Sequence, residues 1–265
     1  MIASDIDGTL LGLGDRVSAR TASAVDRVLA TEVPFVLVTG RPPRWVPFVA
    51  ESVGTTGYAV CANGAVLYDI GADQVVWQRG IDPVRLADVA SALETVLPGA
   101  SMATERVGPS AAGAGISPFI AMESYEHPWA GSDHLVGTRA EVLGHHAVKL
   151  LFADSRMTSA EMALAATAVL GDEFAITFSS NSGLIEISAP DVTKASGLAD
   201  VAERFGVDAA DVIAFGDMPN DVPMLTWAGH GVAMGNAHRD ALDVADEVTT
   251  SNEEDGVALV LERWF

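Results

Sequence analysis

Short apolar runs alternate with amphipathic stretches along the first third of the chain. Residues 1–4 form a very short apolar run, and residues 33–38 form a longer one that is typical of a buried strand. Between them, residues 17–31 have helical spacing, with Ser18 as the expected N-cap. A second helix is predicted over residues 41–52, because proline is tolerated in a first helical turn. This order of elements predicts a parallel sheet wrapped by helices.

The last quarter of the chain again alternates short apolar runs with amphipathic stretches. Before it, residues 58–69 contain two apolar runs joined by Asn63 and Gly64, which is typical of a β-hairpin. From residue 194 onward the pattern predicts helices over 194–205, 220–229 and 256–265 and strands over 211–217 and 230–235. Both ends of the chain therefore belong to one α/β fold.

The middle of the chain follows a different pattern. Helices are expected over residues 83–97 and 159–170, strands near 119–123 and 148–154, and a hairpin over 174–189. Strands grouped into hairpins are typical of an α+β arrangement. We therefore predict a Rossmann-like parallel-sheet core made of residues 1–80 and 190–265, with an inserted α+β domain over residues 81–189.

Composition and charge narrow the classes of partner. Apolar residues make up 49% of the chain, enough for a sizeable core. The 36 acidic residues against 15 basic ones give a net charge of -21, which disfavours nucleic acid and membrane surfaces as partners. A small phosphorylated ligand is still compatible with this net charge if a bound cation makes the electrostatic potential of its binding pocket positive. Cys61 is the only cysteine, so the chain cannot form an internal disulfide. With no basic leader at the N-terminus, we expect a cytoplasmic protein.

Polar side chains follow several of the predicted core strands. In an open α/β sheet the ligand binds outside the carboxyl ends of the strands. The chain places the following residues there: Asp5 and Asp7 after the first strand, Thr39 and Gly40 after the second, and Asp217, Asn220 and Asp221 after the strand at 211–217.

These residue types predict a site for phosphate and magnesium. Carboxylates that converge on one edge repel each other unless a cation lies between them, and oxygen ligands without histidine or cysteine favour Mg²⁺. The hydroxyl of Thr39 and the N–H groups near Gly40 suit a phosphate anion. Lys194, one of only two lysines in the chain, would complete the balance of charge.

Four segments resemble the motifs of one enzyme family. DIDGTLL at 5–11, VTGRP at 38–42, Lys194 and GDMPNDVPM at 216–224 resemble the four motifs of the haloacid dehalogenase-like (HAD) phosphohydrolases. The insertion at 81–189 resembles the α+β cap of the Cof-type, or class IIB, subfamily. Only four residues precede Asp5, fewer than the family usually has there. The resemblance spans the whole chain and implies a phosphatase with a HAD core and a cap domain.

The resemblance implies three catalytic residues. Asp5 resembles the nucleophile that attacks phosphorus and forms an aspartyl-phosphate. Asp7 resembles the general acid that protonates the leaving group and then, as a base, activates the water. Lys194 resembles the lysine that keeps the nucleophile ionised and offsets charge in the transition state.

The resemblance also implies residues for the metal and the substrate. The expected Mg²⁺ ligands are Asp5, Asp7 through its backbone carbonyl, Asp217 and Asp221. The expected substrate-binding residues are Thr39, Gly40, Arg41 and Asn220. Two of these residues also have a purely structural interpretation. Arg41 could be a solvated or paired side chain, and Asn220 could cap a helix.

We interpret the sequence as a Mg²⁺-dependent phosphatase of a small phosphorylated metabolite, such as a sugar phosphate or a related phosphomonoester. One alternative is a phosphomutase or a dedicated sugar-acid phosphate phosphatase of the same fold. Another is a catalytically silent sensor of a phosphorylated ligand.

His127 and Trp129 are candidates for a substrate-facing loop of the cap, although exposed loops also carry such residues without function. Adjacent His145 and His146 would not share a face of a helix or strand, which disfavours a two-histidine metal site.

Overall fold

The computed structural model describes residues 1–113, 117–126 and 134–265. The chain divides into two compact units, one made of residues Met1–Trp77 with Thr193–Phe265 and the other of Gln78–Val192. The sequence prediction put these boundaries after residues 80 and 189. His127 and Trp129 lie outside the described residues. Within the described residues, no helix has both the length and the apolar character needed to cross a membrane.

The α-helices, numbered in chain order, are α1 (Ala19–Ala30), α2 (Pro47–Val53), α3 (Pro83–Val96), α4 (Arg139–Leu143), α5 (Ser159–Leu170), α6 (Lys194–Phe205), α7 (Val222–Trp227), α8 (Arg239–Val244) and α9 (Gly256–Leu261). The strands are β1 (Ile2–Ser4), β2 (Phe35–Val38), β3 (Tyr58–Cys61), β4 (Val66–Asp69), β5 (Gln74–Gln78), β6 (Ser101–Glu105), β7 (Phe119–Ala121), β8 (His134–Val136), β9 (Lys149–Ala153), β10 (Ala175–Thr177), β11 (Leu184–Ser188), β12 (Ile213–Gly216), β13 (His230–Ala233) and β14 (Glu247–Val248).

The first unit is built on an eight-stranded sheet. Its strand order is β14-β13-β12-β1-β2-β3-β4-β5, and the pairs from β14 to β3 are parallel. β3 and β4 form the predicted antiparallel hairpin. β1 lies in the middle of the sheet between β2 and β12, and all three of its residues are buried. The predicted α/β fold with a largely parallel sheet is confirmed.

Local sequence signals explain where the helices of this unit begin. The Ser18 side chain accepts a hydrogen bond from the Thr21 N–H and caps α1, as predicted. The single helix predicted over residues 41–52 was wrong in detail. A short 3-10 helix, Pro43–Trp45, is followed by α2, which starts at Pro47. Proline lacks the N–H that a continuous helix would need at that point, so the segment breaks in two.

The second unit contains a six-stranded sheet of order β10-β11-β9-β6-β7-β8. Apolar residues of α3 and α5, including Leu86, Leu93 and Met162, pack with Phe152 and Ile185 of the sheet in one buried core. The predicted hairpin over 174–189 is confirmed as β10 and β11. β6 was not predicted, because polar residues interrupt its apolar pattern although all five of its residues are buried. This unit is α+β, as expected.

Candidate active site

Asp5 lies at the carboxyl end of β1, in the middle of the sheet. Its backbone N–H donates to the Phe215 carbonyl of β12 at 3.0 Å, which continues the ladder one residue beyond the strand. Only 4% of the residue is exposed. A carboxylate is costly to bury without a partner, so its neighbours decide what it can do.

Two further carboxylates reach Asp5 from the segment after β12. One side-chain oxygen from each of Asp5, Asp217 and Asp221 lies within 4.8 Å of the other two, and all three residues are buried. Asp221 is held firmly, since its Oδ2 accepts from the backbone N–H groups of Asp217 and Met218 at 3.0 and 2.9 Å. The predicted convergence of carboxylates on this sheet edge is therefore present in the structure.

Lys194 links two of these acids. It is the first residue of α6 and is 1% exposed. Its Nζ donates to Asp5 Oδ1 and to Asp221 Oδ1, each at 2.5 Å. Burial alone would lower the pKa of Lys194, but the charges of Asp221 and Asp5 outweigh it and raise that pKa. The ammonium group therefore stays charged between the two carboxylates.

One ammonium group does not balance three buried carboxylates. Burial raises the pKa of Asp5 well above its usual value, Lys194 opposes this, and the neighbouring acids add to it. Burial and the charge of Asp221 likewise raise the pKa of Asp217 to about 7. Closely spaced carboxylate oxygens with an excess of negative charge suit a hard divalent cation. The donor set of this acidic cluster therefore fits a metal ion.

A tight turn after Asp7 lets the chain pass close to Asp217. Gly8 has φ +76°, and a Cβ at this position would lie 2.3 Å from Asp217 Oδ2. Any larger residue would therefore clash as well as strain the backbone. Thr9, which follows, donates its hydroxyl proton to Asp217 Oδ1 at 2.9 Å. Thr9 was not among the predicted site residues.

The residues predicted for phosphate lie after β2. Thr39 is fully buried, and its Oγ1 accepts from the Arg41 N–H at 3.0 Å. Gly40 lies against two amide side chains, because a Cβ there would be 3.1 Å from Asn63 Oδ1 and 3.8 Å from Asn220 Nδ2. The structure thus brings Gly40 and Asn220 together, and their contact with substrate stays a prediction.

Asn63 is a site residue that the sequence analysis missed. Its Oδ1 accepts from Asn220 Nδ2 at 3.1 Å, and the residue is buried. Its positive φ of 57° is a conformation that asparagine tolerates. The Asn-Gly pair was interpreted only as a turn, and nothing local to the sequence shows that this turn touches Asn220. The Oδ1 of Asn220 itself has no hydrogen-bond partner among the described residues.

Asp7 and Arg41 form a pair beside the acidic cluster. Arg41 Nε donates to Asp7 Oδ2 at 2.8 Å and Arg41 Nη2 to Asp7 Oδ1 at 2.5 Å. The Asp7 side chain is 55% exposed and is not part of the acidic cluster. Asp7 is expected to contact the metal through its backbone carbonyl, and this metal contact stays a prediction. Arg41 is paired, and its contact with substrate also stays a prediction.

The fold and the site together define an α/β enzyme whose acidic, metal-compatible cluster lies at the carboxyl edge of a parallel sheet. The profile of one family, the haloacid dehalogenase-like hydrolases, matches residues 2–261. The chain belongs to this family and is a hydrolase. The resemblance to this family is thereby confirmed.

Known relatives cover the same length of chain. Phosphatase YwpJ of Bacillus subtilis is 27% identical over 99% of this chain and 99% of its own. The 5-amino-6-(5-phospho-D-ribitylamino)uracil phosphatase YcsE of the same organism is 28% identical over 100% of this chain and 95% of its own. The solved structure of the HAD subclass IIB sugar phosphatase BT4131 has a TM-score of 0.81 at 19% identity, over 99% of this chain and 98% of that one. This last similarity shows a shared fold.

Proposed function

We propose that the protein is a Mg²⁺-dependent phosphatase that hydrolyses a small phosphorylated metabolite through an aspartyl-phosphate on Asp5. The observation that carries the proposal is the buried cluster of Asp5, Asp217 and Asp221 with Lys194 between two of them. A structural role alone would not need a third carboxylate that lacks a counter-charge, because buried unpaired charge is costly.

Mg²⁺ would be held by Asp5, Asp217 and Asp221, with the backbone carbonyl of Asp7. When bound, the ion supplies positive charge that screens the attacking carboxylate from the phosphate dianion and stabilises the phosphoryl oxygens. The remaining chemistry belongs to side chains of this chain.

In the first half of the proposed reaction, a carboxylate oxygen of Asp5 attacks phosphorus in line with the leaving group. The new O–P bond forms as the bond to the leaving oxygen breaks, and that oxygen takes a proton from Asp7. Lys194 favours the ionised form of Asp5 and offsets negative charge in the transition state. Arg41 donates a hydrogen bond to each carboxylate oxygen of Asp7 in the structure. We propose that at least one of these two hydrogen bonds breaks when Asp7 acts as an acid.

In the second half, Asp7 accepts a proton from water, and the resulting hydroxide oxygen attacks phosphorus. The bond from phosphorus to Asp5 breaks, which releases inorganic phosphate and restores the carboxylate. Thr39 and the N–H groups near Gly40 would hold the phosphoryl oxygens. The Oδ1 of Asn220 has no hydrogen-bond partner among the described residues and suits a donor group of the substrate.

A sugar phosphate or a related phosphomonoester is the proposed substrate class. The relative named for a phosphorylated ribityl compound supports a polyhydroxylated leaving group of this kind. We further propose that residues 78–192, the second unit, act as the cap that selects the leaving group. A cytoplasmic location, a small-molecule partner and the absence of nucleic-acid binding stay predictions.

A phosphate-release assay tests this function. The purified protein is incubated with Mg²⁺ and a panel of phosphorylated metabolites, including sugar phosphates, sugar-acid phosphates and 5-amino-6-(5-phospho-D-ribitylamino)uracil, with the Asp5→Asn variant as blank. Release that requires Mg²⁺ and Asp5 supports the proposal. Analysis of products with an added acceptor sugar separates a mutase from a hydrolase. A wild-type protein that binds members of the panel but turns none over would instead be a sensor.

A further inference from the structure

The second unit contains a cavity of about 560 Å³. The described residues that line it all belong to residues 78–192, and none of them is part of the acidic cluster of the first unit. Its volume is within the range of about 300–1,000 Å³ that is usual for small-molecule sites. Among the described residues, the polar members of its wall are Gln78, Arg106, Ser117, Glu141, His145 and His146.

Arg106 is the unusual member of this wall. Only 9% of the residue is exposed, and its Nη2 donates to the carbonyls of Glu141 and Val142 at 2.6 and 3.1 Å. These bonds satisfy two backbone carbonyls at the C-terminal end of α4, where a positive charge is favourable. The Nε proton, however, is buried and has no acceptor among the described residues.

Nothing on the described wall neutralises this guanidinium. Burial lowers the pKa of Arg106, and no described carboxylate forms an ion pair with it. Glu141 is the acidic residue of the wall, but its Oε2 already accepts from the N–H and the hydroxyl of Thr138, each at 2.8 Å. A buried charge without a partner and a donor without an acceptor both cost free energy. An oxyanion in the cavity would supply the counter-charge that the described wall lacks.

The rest of the wall offers polar groups that suit such a ligand. His145 and His146 follow α4 and lie on neither a helix nor a strand, and for this reason both reach the same cavity. Ser117 and Gln78 add a hydroxyl and an amide. We propose that this cavity binds a small oxyanion, a carboxylate or a phosphate, that pairs with the guanidinium group of Arg106. This site is additional to the proposed phosphatase site and does not depend on it.

Arginine side-chain NMR tests this proposal directly. The Nε–H resonance of Arg106, assigned through its correlations to the backbone, is followed while the full-length protein is titrated with malonate and, separately, with inorganic phosphate. We expect a saturable shift of this resonance with at least one of the two anions, and the responding anion identifies the carboxylate or phosphate class. The Arg41 Nε–H resonance reports binding at the acidic cluster in the same spectra.

Ser117→Glu places a carboxylate on the cavity wall and should weaken binding of the responding anion by about tenfold or more, since one charge-assisted hydrogen bond is worth roughly 1.4 kcal/mol or more. Thr95→Glu adds the same charge to an exposed position of α3 and should leave the titration unchanged. If neither anion shifts Arg106 saturably, the proposal is overturned. It is equally overturned if Ser117→Glu binds the anion as tightly as the wild type.

Discussion

Replacing Asp217 by asparagine removes one charge from the buried cluster of three carboxylates and one ammonium group. Burial, followed by the charge of Asp221, raises the pKa of Asp217 from 3.8 to about 7. Because this folded-state pKa lies above the unfolded one, the folded protein binds more protons between about pH 4 and pH 7. Its stability therefore falls as the pH rises through that window. Roughly three pKa units correspond to at most about 4 kcal/mol of destabilisation by the ionised side chain.

Asparagine keeps the shape of the side chain, and its Oδ1 can still accept from the Thr9 hydroxyl. In EDTA, we expect Asp217→Asn to be more stable than the wild type at about pH 8, by up to about 4 kcal/mol, and nearly equal to it at about pH 4. The melting temperature should differ by several degrees at the higher pH, since 1 kcal/mol corresponds to about 2–4 °C in a domain of this size. Thermal unfolding across this pH range measures the difference.

Asp26→Asn is the matched control, because Asp26 is an exposed aspartate of α1 in the same unit. It should change stability by no more than about 0.5 kcal/mol at either pH. Added Mg²⁺ should stabilise the wild type and the control more than Asp217→Asn. A loss of stability in metal-free Asp217→Asn at about pH 8, or a difference that is the same at both pH values, would refute the reasoning.

Three other substitutions test separate parts of the site. Asp5→Asn should lower phosphate release by roughly 10³-fold or more, because an amide is not a nucleophile; substantial residual turnover would contradict its role. Lys194→Met leaves Asp5 and Asp221 without their shared cation and should destabilise the metal-free protein by about 3–5 kcal/mol, measured by urea denaturation; an unchanged midpoint would argue against the ion pairs. Asp7→Asn should slow turnover yet keep Mg²⁺ affinity in isothermal titration, since its expected ligand is a backbone carbonyl; lost affinity would show that the side chain binds the metal.

The fold was predictable where periodicity and capping agree. α1 and α6 follow from apolar spacing, and α1 carries its predicted cap at Ser18. β6 was not predictable in this way, because its polar residues are buried and satisfied by distant partners. Thr104, for example, donates to the carbonyl of Val142 at 2.8 Å. α8 spans only six residues, too few for a clear period.

The site was predictable where the sequence places a polar residue at the end of a core strand. Asp5 and Asp217 follow β1 and β12, which are neighbours in the sheet, so topology alone brings them together. The Asn63–Asn220 contact joins residues 157 positions apart through a turn, and no local pattern encodes it. The pairing of Arg41 with Asp7 depends on side-chain geometry in the same way.

Trapping a phosphoryl analogue on Asp5 tests the central claim most directly and needs no knowledge of the natural substrate. Beryllofluoride binds to aspartate carboxylates as a mimic of aspartyl-phosphate, and ¹⁹F NMR separates bound from free fluoride. We predict a bound resonance for the wild type that appears with Mg²⁺, disappears with EDTA and is absent in Asp5→Asn. No bound resonance in the folded wild type with Mg²⁺, or the same resonance in Asp5→Asn, would contradict the account.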